Sequence, residues 1–126
     1  MDSFRELRVW KLSMDLAIFT YKITQKYPKH ELFGLSSQMR RAAVSIPSNI
    51  AEGFGRQSTK EYLHHLSFAQ GSISELETQI ELSFRLTYID EANYVALLEL
   101  CDHVGKLLTN QKKSLRKHLT ESDPQT

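Results

Sequence analysis

The sequence has very little of what interrupts or cross-links a chain. Cys101 is the one cysteine among 126 residues, which excludes an internal disulfide and any zinc site built from several cysteines. Five glycines and three prolines leave little room for loops and favour long secondary-structure elements. No apolar run approaches the roughly 18 residues that a membrane span needs. We therefore expect a cytoplasmic protein that does not associate with membranes.

An excess of charge of one sign is missing as well. The chain has 16 Lys and Arg against 15 Asp and Glu, a net charge of +1. Whole-chain electrostatics therefore do not attract nucleic acid, and any anion site must be a local cluster. The opening MDSFRELRVW is charged and lacks the apolar run of a secretory signal. The apolar content of 40% and charged content of 25% are typical of one globular domain spanning residues 1–126.

The hydrophobic pattern of the chain is that of α-helices and not of β-strands. Apolar residues recur every three or four positions along four segments. We predict helices at about residues 7–27, 34–54, 58–87 and 90–118, with a frayed tail at 119–126. Pro28 ends the first helix, Gly53 and Gly55 allow the second to stop, and Ser58 and Asp90 cap the third and fourth. Long helices with short connections predict an all-α, antiparallel up-down-up-down four-helix bundle.

Two helices carry more apolar residues than a single core stripe needs. On the third helix, Phe68, Leu82 and Leu86 lie nearly opposite the core stripe. Three exposed apolar residues on one line predict a second contact, most simply with another copy of the chain. The apolar sector of the first helix is also wide, which is compatible either with deep burial or with a subunit contact. We therefore take Phe68, Leu82 and Leu86 as candidates for an oligomer interface.

No catalytic or metal-binding constellation emerges from the spacing. His64 and His65 are adjacent and point about 100° apart on a helix. His103 and His118 lack carboxylates at the Glu-x-x-His spacing of metal sites in bundles. Cys101 lies on the core stripe of the fourth helix, so its thiol should be buried. We predict no enzymatic activity, no metal and no cofactor.

Local clusters of basic residues are the remaining functional signal. Arg40 and Arg41 lie in the second helix, and Arg56 and Lys60 lie around the turn that follows it. These four are our candidates for contacts with nucleic-acid phosphates. For Arg40 and Arg41 the alternative is an ion pair, with Glu52 or with an acidic residue of the third helix, Glu75 or Glu77.

Further basic residues lie in the N-terminal arm, at Arg5 and Arg8, and in the last predicted turns, over residues 112–118. The last group has an alternative explanation, because cations near a helix C-terminus complement the helix dipole. Aromatic residues do not alternate with these cations, so sequence-specific reading of RNA bases is not supported. Gln38, Ser45 and Asn49 form a polar stripe beside the core stripe of the second helix; hydrogen bonding between helices explains it better than a ligand site.

Several runs of the sequence together resemble a known family. The most specific is QMRRAAVSIPSNIAEG at residues 38–53, preceded by ELFGL at 31–35 and followed by STKEY at 58–62. FRELRVW at residues 4–10 and AQGSISEL at 69–76 fit the same pattern. The chain thereby resembles the four-helix-bundle proteins encoded in intervening sequences of bacterial 23S ribosomal RNA genes, over nearly its whole length.

The resemblance implies a left-handed four-helix bundle that assembles as a homopentameric ring. A related group, the accessory variability proteins of diversity-generating retroelements, is basic and binds nucleic acid and a reverse transcriptase. The expectation for this chain is therefore a non-catalytic homo-oligomer that binds RNA or DNA. The alternative is a scaffold that binds a protein partner and has no nucleic-acid role.

Overall fold

The structure, a computed structural model, describes residues 3–122, and the side chains through residue 120. Four α-helices account for most of this range: α1 (Arg8–Thr24), α2 (Leu35–Phe54), α3 (Thr59–Arg85) and α4 (Glu91–Ser122). Two single turns of 3₁₀-helix, Phe4–Glu6 and Lys29–Glu31, precede α1 and α2. The predicted all-α fold of four packed helices is confirmed.

Hydrogen bonds between helices establish how they run. On α3, Gln70 accepts a bond from Lys112 in the second half of α4, whereas Glu81 accepts one from Tyr94 in the first turn of α4. Residues later in α3 therefore contact residues earlier in α4, which shows that the two helices are antiparallel. Each helix packs against its neighbours in sequence, and α1 also packs against α4. Within residues 3–122, α1 does not pack against α3, and α2 does not pack against α4. These two pairs are therefore the diagonal pairs of a four-helix bundle.

Helix ends follow local backbone chemistry. The N-caps are as predicted: Ser58 Oγ accepts a 3.1 Å bond from the Glu61 N–H, and Asp90 Oδ1 accepts a 2.7 Å bond from the Asn93 N–H. Helix α1 ends at Thr24, three residues before the predicted end, because the backbone tightens there into a 3₁₀-type turn whose last bond joins Tyr27 N–H to Thr24 C=O.

The end of α4 differs from the prediction in the other direction. The helix continues to Ser122, whereas the sequence predicted a frayed tail from residue 119. No glycine or proline stands between Gly105 and Pro124, so nothing local stops the helix earlier. Residues 123–126 of the predicted tail lie outside the described residues.

The core runs along the axis between the four helices. All four helices contribute fully buried side chains to it, which include Leu16, Met39, Ile46, Ile50, Leu66, Leu76, Ile80, Leu97, Val104 and Leu108. The burial of each Leu or Ile stabilises the fold by about 1.5–3 kcal/mol. Cys101 is completely buried among them, as its position on the core stripe predicted. Helix α2 continues through the buried Pro47. Within the described part of the chain, no helix combines the length and apolar character of a membrane span.

Candidate nucleic-acid interface and assembly surfaces

The antiparallel arrangement gathers three distant parts of the sequence at one end of the bundle. The α2–α3 turn lies there, and with it come the start of α1 and the C-terminal half of α4. Arg8 at the start of α1 reaches His103 of α4, with 3.4 Å between Nη2 and Nε2. Lys112 Nζ of α4 donates a 2.7 Å bond to Gln70 Oε1 in the first half of α3. We call this end, made of residues 5–11, 52–64 and 102–118, the basic end.

Positive charge is concentrated at the basic end. Four acidic residues lie there, against ten Lys and Arg: Arg5, Arg8, Lys11, Arg56, Lys60, Lys106, Lys112, Lys113, Arg116 and Lys117. The other described segments, 12–51 and 65–101, hold six Lys and Arg against eight Asp and Glu. Assigning the acidic residues of the chain ends, Asp2, Glu121 and Asp123, to the basic end lowers its excess from six charges to three. Although the net charge of the chain is only +1, its positive charge is concentrated at one end of the bundle.

Helix dipoles do not explain this cluster. Helix α4 continues to Ser122 and has no basic residue in its last turn, where the dipole would favour one. Arg8 is the first residue of α1, and Lys60 lies in the first turn of α3. A cation at a helix N-terminus is disfavoured by the same dipole. The dipole therefore accounts neither for the cations of α4 nor for Arg8 and Lys60.

Most cations of the basic end have no carboxylate partner among the described side chains. Arg56 pairs with Glu52 at 2.8 Å and Lys106 pairs with Asp102 at 2.9 Å, both one helical turn apart. Lys60 makes no ion pair within residues 3–120. Burial and then the nearby positive charge of Arg116 lower the pKa of Lys112. Crowded cations of this kind are stabilised by an anion such as phosphate.

The four arginines and lysines selected from the sequence fall into two separate places. Arg56 and Lys60 belong to the basic end, and together with Glu61, His64 and His65 they line a shallow depression of about 430 Å³. Arg40 and Arg41 lie elsewhere, where α2 packs against α1. The structure therefore does not bring the four candidates together into one cluster.

Arg40 and Arg41 have different surroundings, and neither forms an ion pair with a described residue. The Nε of Arg40 donates a 2.9 Å bond to Thr24 Oγ1, and its guanidinium lies 4.8 Å from the centre of the Tyr21 ring. Arg41 is exposed. Glu52, one of the partners considered for them, is bonded to Arg56 instead. Glu75, another of those partners, lines the same small depression as Arg41 without an ion pair between the two.

An apolar groove of about 560 Å³ lies beside these arginines. We call it the α1–α2 groove; its lining residues are Tyr21, Leu32, Phe33, Ser37, Arg40, Arg41, Val44 and Ser45. Phe33 is 93% exposed, the most exposed large apolar side chain in the described chain. Sequence periodicity missed it because it lies in a loop, where no repeat marks a buried or exposed face. The groove also brings aromatic rings next to cations, which the linear sequence did not show.

The apolar line predicted on α3 is exposed as expected. Phe68, Leu82 and Leu86 are 51%, 47% and 43% exposed. Glu75 lies between Phe68 and Leu82 on the same side of the helix, at seven residues from each, and is also exposed. Its carboxylate makes no ion pair with any residue that the structure describes. We call these four residues the α3 outer face; that it forms an interface stays a prediction.

The polar stripe of α2 bonds to α3. Ser45 and Ser72 share a hydrogen bond of 2.8 Å. Asn49 donates to Ser45, and its Oδ1 lies 3.2 Å from His65 Nδ1. Gln38, the third member of the stripe, is on the same side of α2 and lines a small depression whose other lining residues include Arg41, Ser72 and Glu75. Two of the three residues therefore hydrogen-bond within the α2–α3 seam, a structural role.

Chemistry at the remaining candidates is limited by burial. Desolvation, and secondarily the charge of Glu77, raises the pKa of the Cys101 thiol to about 12. A thiol with this pKa is protonated and poorly nucleophilic at neutral pH. Among the described residues, no group of three or more His, Cys, Asp or Glu is arranged to hold a metal ion.

These features define a four-helix-bundle protein with a positive end and two exposed apolar surfaces. A family model, described as 23S rRNA-intervening sequence protein, matches residues 5–110, so the chain belongs to that family. A structure from Bacteroides thetaiotaomicron, a protein with unknown function from the S23 ribosomal protein family, is similar at a TM-score of 0.78. The two are 26% identical, over 83% of this chain and 95% of that one. A search of curated proteins finds no match.

Proposed function

We propose that this protein is a non-catalytic, homo-oligomeric helical bundle that binds RNA through the phosphate contacts of its basic end. The observation that carries the proposal is the gathering of ten Lys and Arg at one end of a chain whose net charge is only +1. Phosphate contacts supply most of the affinity of sequence-independent nucleic-acid binding. Binding of that kind needs no groove that reads bases.

Repetition raises the affinity of a modest cluster. In the ring of five copies that the family resemblance implies, each copy presents its basic end to the same side when the helices run along the ring axis. Linked contacts to one RNA strand then act together, and avidity can exceed the affinity of one copy by about 10²–10⁴. The exposed apolar line of the α3 outer face supports assembly, because such a line is costly to leave in water.

Charge reversal at matched positions tests the proposal. The variant Lys60→Glu/Lys113→Glu removes two exposed cations from the basic end, and Lys22→Glu/Lys26→Glu makes the same change in charge on and just after α1, away from that end. Fluorescence anisotropy with a labelled single-stranded RNA at about 50 mM salt should show binding by the wild type. We expect the first variant to bind at least about tenfold more weakly and the second to change little. No binding by the wild type, or equal weakening in both variants, would refute the proposal.

A protein-binding scaffold is the second candidate, favoured by the low net charge and by the exposed α1–α2 groove. Affinity purification from the native cell distinguishes the two. A defined protein partner that survives nuclease treatment would support the scaffold, and loss of co-purified material after that treatment would support RNA binding.

A further inference from the structure

We propose that the α1–α2 groove is a second RNA site, in which an unpaired base stacks on the Phe33 ring and Arg40 and Arg41 contact the neighbouring phosphates. This inference rests on the proposed function and deepens it. The basic end offers contacts to phosphates alone, which single-stranded and double-stranded RNA both provide. A site that takes an unpaired base makes single-stranded RNA the ligand.

The Phe33 ring is free to stack. It is 93% exposed, and no other aromatic ring among residues 3–120 contacts it. The ring therefore contributes little to the core and has an open face for a planar ligand. Stacking on an aromatic side chain is available to every base, because every base has a π-face. A site of this kind binds single strands without selecting one sequence.

The polar lining of the groove suits an anion. Two guanidinium groups lie in it, those of Arg40 and Arg41, and none of its described lining residues is acidic. Arg41 also lines the neighbouring depression of Glu75, but it forms no ion pair with a described carboxylate. A phosphate would supply the partner that the fold does not. Cations with aromatic rings beside them are the composition of grooves that bind single strands.

Arg40 is held in place along the wall of the groove. Its Nε donates a 2.9 Å bond to Thr24 Oγ1, and its guanidinium lies over the Tyr21 ring. Its Nη nitrogens have no hydrogen-bond partner in the part of the chain that the structure describes, so they are available to a phosphate. A cation that is already ordered loses little entropy on binding. Arg41, in contrast, is exposed and can reach different positions of an RNA backbone.

A nucleotide meets the requirements of the groove better than a protein segment does. The volume of about 560 Å³ is within the range of sites that hold one small ligand. A protein that buried Phe33 would also bury the two guanidinium groups, and it would need carboxylates at matching positions to offset their desolvation. A nucleotide carries a planar base and a phosphate in one unit, so it provides both contacts together.

The groove and the basic end are separate places on the molecule. Arg41 lies in the first half of α2 and the basic end begins at its last turn, so about 20 Å of helix separates them. Lys22 and Lys26, the control positions of the charge-reversal test, do not line the groove. Each site can therefore be altered while the other is left intact.

Substitution of one ring tests the site. Phe33→Leu removes the ring but keeps an apolar side chain, and Phe33→Tyr, the matched control, keeps the ring. The residue is exposed, so both variants should fold, and circular dichroism checks this. Fluorescence anisotropy gives the affinity of each protein for a labelled single-stranded RNA of about 12 nucleotides and for a duplex RNA of the same length. Ultraviolet cross-linking then locates the base, since trypsin releases Phe33 in the peptide of residues 30–40.

We expect Phe33→Leu to bind the single strand about tenfold more weakly than the wild type, and Phe33→Tyr to stay within about twofold. The affinity for the duplex should not change in either variant, because paired bases are not free to stack on a side chain. The cross-link should fall in the peptide of residues 30–40. Equal affinity of Phe33→Leu and the wild type for the single strand, or equal weakening with the duplex, overturns the base contact. A lower mass of Phe33→Leu in light scattering assigns the ring to a contact between copies and overturns it too.

Salt dependence separates this inference from the proposed function. Phe33→Leu should keep the wild-type slope, because a ring neutralises no phosphate, whereas Arg41→Gln should make the slope less steep by about 0.7. Wild-type affinity in Phe33→Leu with weak binding by Lys60→Glu/Lys113→Glu removes the groove and leaves the basic end. The reverse result removes the basic end and leaves the groove. A co-purified protein that is lost with Phe33→Leu, while the affinity for RNA is unchanged, assigns the groove to a protein partner and overturns the inference.

Discussion

The hydroxyl of Tyr88 donates a 2.9 Å hydrogen bond to Oε2 of Glu31, joining the loop before α4 to the loop before α2. The other oxygen of the carboxylate, Oε1, accepts a 3.1 Å bond from the N–H of Leu35 at the start of α2. Glu31 thus fixes both ends of the short segment that holds Leu32 and Phe33. The exposed Phe33 side chain is therefore presented from a loop that these two hydrogen bonds hold in place.

The Glu31 carboxylate makes stability dependent on pH. The bond from Leu35 N–H, and then the bond from Tyr88, lower the pKa of Glu31 below its ordinary value. Its stabilising contribution is therefore present above the ordinary carboxyl pKa and is lost as the pH falls through the lowered one. We expect Glu31→Gln to reduce the difference in unfolding free energy between neutral and acidic pH, measured by urea denaturation. Glu99→Gln, at an exposed position on α4, is the control; equal pH profiles for wild type and Glu31→Gln would contradict the role of Glu31.

Two glycine substitutions should change stability in opposite directions. A Cβ at Gly53 would lie 2.7 Å from the Cβ of His65 and 3.0 Å from Cδ1 of Tyr62, so α2 and α3 would have to move apart. We expect Gly53→Ala to destabilise the fold by about 1–3 kcal/mol. A Cβ at Gly105 meets nothing within 4 Å, so Gly105→Ala should stabilise α4 by about 0.5–1 kcal/mol. Thermal unfolding of both variants checks the pair, and a neutral Gly53→Ala would show that the helices are less closely packed there.

Cys101 should be unreactive in the native protein. Its thiol is fully buried, and its pKa is raised to about 12. We expect no reaction with a thiol reagent such as dithionitrobenzoate at mildly alkaline pH on a timescale shorter than that of local unfolding, and prompt reaction of one thiol per chain in denaturant. Rapid stoichiometric labelling of the folded protein would contradict the burial of Cys101.

Asn49 should matter more for stability than its neighbour Ser48. The Asn49 amide bonds to Ser45 and lies within hydrogen-bond distance of His65, whereas Ser48 is exposed. Asn49→Ala leaves part-buried partners without a bond, at a cost of about 1–3 kcal/mol. Ser48→Ala should change the free energy of unfolding by less than about 0.5 kcal/mol. Chemical denaturation gives both values, and equal effects would argue against a structural role for the α2–α3 seam.

The helices were predictable because their signals are local. Apolar spacing, the cap residues Ser58 and Asp90 and the burial of Cys101 depend on a few neighbouring positions, and the structure confirms each of them. The sequence predicts an end of α1 at about residue 27, three residues after the observed end at Thr24, because Pro28 marks where a helix cannot continue but not where it tightens. The sequence predicts the end of α4 too early, because its last residues are polar and polarity alone does not end a helix.

The surfaces were harder to predict because they arise from topology. Lys60 and Lys113 are 53 positions apart in the sequence, and only antiparallel packing brings their segments to one end. The even balance of total charge concealed that gathering. Arg40 and Arg41 follow each other in sequence, yet their surroundings differ. Arg40 contacts Thr24 and Tyr21 of α1, whereas Arg41 is exposed. Phe33 carried no periodic signal at all, and only its exposure in the folded chain identifies it.

The salt dependence of RNA binding tests the central claim, phosphate contact at the basic end, most directly. The dissociation constant of a labelled single-stranded RNA is measured from about 50 to 200 mM salt for the wild type and for Lys60→Glu/Lys113→Glu. We predict that the logarithm of the affinity falls linearly with the logarithm of the salt concentration. The slope should be less steep in the variant, by about 0.7 for each phosphate that it no longer neutralises. An affinity that does not change with salt, or a slope that is the same in both proteins, would contradict phosphate binding at the basic end.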